Sequence, residues 1–137
     1  MSKIGIADTM FSRVDMFAIV KKALVDSMES IQMERYTVPG IKDLPVACQK
    51  LFREYGCEIV LALGMPGPEE IDKQCSHEAS SGLMQVQLKD NKHILEVFVH
   101  LDEAEDGKKL LEITSDRVYK HTLNALALLK GKTELSK

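Results

Sequence analysis

Residues 57–64, CEIVLALG, are apolar without the alternation of a half-buried strand. A strand of that kind needs cover on both faces, so it belongs inside a parallel sheet between two layers of helices. Around it the hydrophobic period switches between short runs and helical spacing: KIGIA (3–7), IQMERYTV (31–38) and HILEVFVH (93–100) read as three more strands. The second of these suits an edge, because Gln32, Glu34 and Arg35 interrupt it. From Asp15 onward, Met16, Ile19, Val20, Ala23, Leu24 and Met28 share one helical face, and Ile71, Cys75, Ala79, Leu83 and Val86 do so in a helix from about Glu69 to Leu88. Between them Asp43 is placed to cap a helix, with Pro45 in its first turn and Gly56 as a left-handed stop. Residues 104–130 read as one or two helices, followed by a polar tail. A β-α unit repeated four times predicts a parallel α/β sheet with right-handed crossovers.

The chain of 137 residues suits one domain with one core. Its formal net charge of -3 supplies no basic footprint for nucleic acid or an anionic membrane. No apolar run approaches the ~20 residues of a membrane span, and the N-terminus has no signal-like apolar segment, so a soluble, cytoplasmic protein is expected. Cys48, Cys57 and Cys75 are odd in number and have no CxxC spacing, which predicts reduced core thiols.

In a parallel sheet, ligands bind outside the carboxyl ends of the strands. The unusual segments of this chain all fall there: ADTMFSR, VPGIKD, GMPGPEE and VHLDE, while the turns at the other edge are plain. Gly40, Gly64 and Gly67 allow close approach and Pro39, Pro66 and Pro68 stiffen the loops, either as ordinary turns or as a shaped pocket. Neither GxGxxG nor GxxxxGK[ST] is present, and Glu69, Glu70 and Asp72 after strand three would repel a phosphate. Phe11 can stack on a heteroaromatic ring or fold back onto the core. Arg13 and Lys42 can bond ring carbonyls and ligand hydroxyls or be solvated surface charge, and Asp8 can bind a ligand or act as a cap. His77, followed by Glu78, and His100 are the acid-base candidates, each with a plain structural alternative. His93 starts its strand at the wrong edge, and no metal-ligand spacing such as HExxH occurs.

KIGIADTMFSRVDM, TVPGIKDLPVACQKL, GCEIVLALGMPGPEEIDKQCSHEAS and HILEVFVHLDEAED together resemble the archaeal-type riboflavin synthases, which are similar in fold to lumazine synthase. The likeness runs from Lys3 to about Asp106, and the tail after Thr133 is shorter than the family's. It implies a three-layer αβα sandwich around a four-stranded parallel sheet of order 2-1-3-4, assembled as a homopentamer with sites between neighbours. The implied reaction is the dismutation of two 6,7-dimethyl-8-ribityllumazine molecules into riboflavin and a ribitylamino-pyrimidinedione. No organic cofactor is implied; magnesium is compatible with the family, although no ligand set here demands it. By similarity, His77 would transfer the proton with Glu78 in support, and Phe11 would stack on a ring. Asp8, Thr9, Pro39, Gly40, Lys42, Asp43, Met65 and Gly67 would line the pocket from one subunit, with Val97 and His100 supplied by its neighbour. Lumazine synthase itself, a flavodoxin-like flavin- or pteridine-binding module and a non-catalytic assembly subunit are the competing expectations. The flavodoxin reading lacks its phosphate-cradling glycine in DTMFSR.

Overall fold

The computed structural model describes residues 2–137. Four strands, β1 (Lys3–Thr9), β2 (Gln32–Val38), β3 (Ile59–Gly64) and β4 (Ile94–Phe98), pair in parallel in the order β2-β1-β3-β4. Helices α1 (Met16–Ser27), α2 (Leu44–Arg53), α3 (Glu70–Asp90) and α4 (Gly107–Lys130) connect or follow them. Every residue of β3 is buried, as its unbroken apolar run requires of an inner strand covered on both faces.

The sheet separates two apolar clusters. Ile4, Ile6, Leu61 and Val97 project toward α1 and α4, where they meet Val20, Leu24, Val118 and Leu126. Ala7, Val60, Ala62 and Ile94 project the other way, onto Leu44, Leu51, Leu83 and Val86 of α2 and α3. The result is the three-layer sandwich of order 2-1-3-4, with β2 on an edge as its interrupted pattern foretold.

Several local expectations are corrected. Met28 is not on the buried face of α1: it forms the left-handed C-cap at φ 59° and is 91% exposed. Ile71 also leaves its helix face and is exposed, while Ser76 is buried beside Ala79. Asp43 does not cap α2 through its side chain; it closes a 3-10 turn (Ile41–Asp43), where its carboxylate accepts the Gly40 N–H at 3.1 Å. Residues 107–130 form a single helix, and β1 extends two residues further than its apolar run, through Asp8 and Thr9. Gly56 stands at φ +71° as expected of the residue that lets the chain turn from α2 toward β3. Cys48 and Cys57 are buried thiols; Cys57 is pushed up to about 11 by burial, so it stays protonated near neutral pH. Cys75 is only half-buried rather than part of the core.

Candidate functional site

The β1–β2 register builds the most polar part of the sheet edge. Asp8 pairs with Thr37, and Arg35 pairs with Ile6 one step earlier on the same face, so the long arginine side chain reaches forward to the carboxylate. Arg35 Nε and Nη2 donate to Asp8 Oδ2 at 3.1 and 2.7 Å, and Thr37 Oγ1 donates to Oδ1 at 2.6 Å. Only 10% of the Asp8 side chain is exposed, and these donors are what make a buried carboxylate tolerable. The guanidinium carbon of Arg35 lies 4.1 Å from the centroid of the Phe17 ring at the start of α1. A cleft of about 290 Å³ opens above this network, lined also by Thr9, Ser12, Arg13 and Asp15. Asp8, Thr9 and Arg13 are thus brought together as expected of a shared rim, but the Asp8 carboxylate is already engaged by its own chain rather than free for a ligand.

Phe11 is 51% exposed on the β1–α1 loop, beside the still more exposed Met10. On the α2–α3 side of the rim, Pro39 and Lys42 are exposed, and Lys42 Nζ donates to Glu78 Oε1 at 3.1 Å. Glu78 therefore ties the 3-10 turn to α3 instead of supporting His77, which is exposed on the same helix.

The fourth strand ends in a compact network. His100 Nε2 lies 3.2 Å from the buried Ser76 Oγ, and Glu103 Oε2 accepts the His100 N–H at 2.8 Å. Arg117 grips Glu103 at 2.7 and 3.2 Å and also donates to the Phe98 carbonyl, which fixes this loop to α4. The guanidinium holds the Glu103 carboxyl below the usual carboxylate range.

Two expected lining residues have buried side chains, and a third, Gly67, has a role within the chain itself. Met65 and Val97 are 2% and 1% exposed, and their side chains pack into the core on the α1–α4 side of the sheet. Gly67 is explained by the helix behind it: a Cβ there would come within 2.4 Å of Asp72 Oδ2. That same oxygen accepts the Glu69 N–H at 3.1 Å, so Gly67 leaves room for the carboxylate that caps α3.

Sequence reasoning passed over Arg35, Thr37, Phe17 and Glu103. The alternation of β2 was a legible signal, since residues 33, 35 and 37 share a face, but their meeting with Asp8 depends on strand pairing. For magnesium, no group of three or more His, Cys, Asp or Glu side chains able to hold an ion occurs among the described residues.

The family model for 6,7-dimethyl-8-ribityllumazine synthase matches residues 2–132. The chain belongs to this family. Within it, the chain is 54% identical over 129 residues to a riboflavin synthase of Methanothermobacter thermautotrophicus, covering 94% of this chain and 84% of that one. Identity is 49% over 135 residues to a riboflavin synthase of Archaeoglobus fulgidus (98% and 88% covered) and 42% over 127 residues to one of Aeropyrum pernix (93% and 81%). A solved short-chain flavodoxin associated with a bacterial microcompartment aligns with a TM-score of 0.54 at 9% identity, covering 92% of this chain and 97% of that one. At that identity the likeness concerns the fold alone. The lumazine synthase-like family thus comprises both a lumazine-forming model and riboflavin-forming relatives, and the chemistry of the rim has to separate them.

Proposed function

We infer that this chain is a riboflavin synthase: two molecules of 6,7-dimethyl-8-ribityllumazine exchange a four-carbon unit, giving riboflavin and 5-amino-6-ribitylamino-pyrimidinedione. The observation that carries the choice is the N-terminus of α3. There Asp72 takes the Glu69 N–H, and Glu69 and Glu70 are exposed beside it. A helix start is a natural phosphate seat, but one already occupied by its own carboxylates repels an anion. Lumazine formation consumes a phosphorylated four-carbon substrate, whereas dismutation uses two uncharged lumazines. The names borne by relatives at 42 to 54% identity support the same reading.

The chemistry calls for two flat molecules held face to face while a methyl proton leaves. Orientation of two bound reactants supplies about 7 to 11 kcal/mol of such a barrier, more than a single acid-base group contributes. Phe11, exposed at the rim, is the proposed stacking surface, and His77 the proposed proton carrier. The purified chain given lumazine should develop riboflavin fluorescence, and His77→Ala should slow this by about 10²-fold without altering the thermal unfolding midpoint. A folded wild-type protein that forms no riboflavin would reject the function; an unimpaired variant would remove His77 from it.

A homopentameric ring with sites between neighbours is part of the proposal. Two features support an assembly: β2 and β4 leave unpaired sheet edges, and Val25, Met28 and Met33 stand exposed around a shallow apolar depression next to β2. Light scattering should read about five protomers at assay concentrations. A monomer of full activity would contradict the shared site.

A further inference from the structure

The residues that close the end of β4 have no part in the stacking and proton transfer described above. We propose that His100 is a positioning residue: through Ser76 it clamps the loop that follows β4 to the turn of α3 that leads into His77. Its effect on rate rests on the dismutation proposed above; the clamp itself does not.

The sheet alone holds this loop weakly. β4 is an edge strand with one neighbour, and the chain just beyond it bonds only to the β3–α3 loop, from the Val99 N–H to the Gly64 carbonyl and from the Leu101 N–H to that of Pro66, each at 3.0 Å. Side chains from both helix layers complete the fastening. On the α4 side Arg117 grips Glu103, which takes the His100 N–H. On the α3 side two links remain, Lys73 to Asp102 at 2.7 Å and the His100 ring to Ser76 at 3.2 Å. The first is an exposed ion pair of little worth, whereas Ser76 is 5% exposed. The histidine therefore carries the link, because a hydrogen bond out of water is the costlier one to break.

The protons give the contact a direction. The Ser76 hydroxyl donates to the Asp72 carbonyl one turn back at 3.0 Å, so its oxygen is left to accept and the ring hydrogen is assigned to Nε2. Nδ1 stands 3.6 Å from Glu103 Oε2, beyond hydrogen-bond reach. This tells against a nucleophilic serine, which needs an open face and a ring that receives its proton. Ser76 is buried, and the ring donates to it. What the contact supplies is placement. In a reaction whose two substrates must meet face to face, a shift of about 1 Å made by groups remote from the chemistry costs about 10²-fold in rate.

The test uses the purified full chain. His100→Ala and Ser76→Ala should each lower kcat for riboflavin formation by about tenfold and leave the KM for lumazine within about twofold. The double variant should lose no more than either single one, because both remove the same contact. His100→Gln, whose amide N–H reaches as far as Nε2, should recover most of the rate, and the shorter His100→Asn should not. Amide hydrogen exchange over residues 99–103 should quicken by about tenfold in both alanine variants and stay near wild type in His100→Gln. Additive losses, or a fast Ser76→Ala beside a slow His100→Ala, overturn the proposal and place His100 on the substrate itself. Unchanged exchange overturns it whether or not the wild type forms riboflavin. A wild type that forms none, while exchange follows this pattern, sinks the dismutation and leaves the clamp standing.

Discussion

Asp8→Ala is expected to lower riboflavin formation by about 10²-fold and to cost about 2 kcal/mol of stability. The carboxylate is the hub of the rim: it accepts two bonds from Arg35 and one from Thr37 while lying almost wholly out of water. Without it the guanidinium has no anchor over Phe17, and the Thr37 hydroxyl loses its acceptor. The stability loss is kept modest because 45% of the Arg35 side chain is exposed and can be resolvated. The larger effect falls on activity, since a disordered guanidinium fills the cleft instead of shaping it. Urea unfolding together with the lumazine assay checks both numbers; an active variant whose melting is unchanged would show that this network is neither structural nor functional.

Leu61→Ala is expected to destabilise the chain by about 3 to 5 kcal/mol, a large part of the roughly 5 to 15 kcal/mol available to a domain of this kind. Leu61 is fully buried in β3, paired with Ile6 on one side and Leu95 on the other. Its neighbours are hydrogen-bonded strands, which cannot move inward to fill the space, so most of the lost volume would remain a cavity. Denaturant unfolding followed by circular dichroism measures it, and a loss below about 1 kcal/mol would mean that the α1–α4 side of the core is loosely packed.

How much of this was legible in advance differs between elements. The inner position of β3 could be read from CEIVLALG alone, because only a strand covered twice tolerates an unbroken apolar run. Met28 and Ile71 were misplaced because periodicity extrapolates a buried face past the point where a helix ends or its neighbour stops covering it. Val97 faces the α1–α4 core because side chains alternate across the sheet, while Met65, just past the end of β3, packs into the same cluster. Gly67 leaves the room that the α3-capping Asp72 carboxylate needs, a contact made across the loop that no motif announces.

The alternation of strands and helices, the rim on which the irregular loops gather and the carboxylates at the start of α3 follow from residues close together in the chain. The joining of Asp8 to Arg35 and Thr37, 27 and 29 residues away, was decided only by tertiary structure. Strand register chooses which distant side chains share a face, and a buried charge finds its partners across that register rather than along the chain.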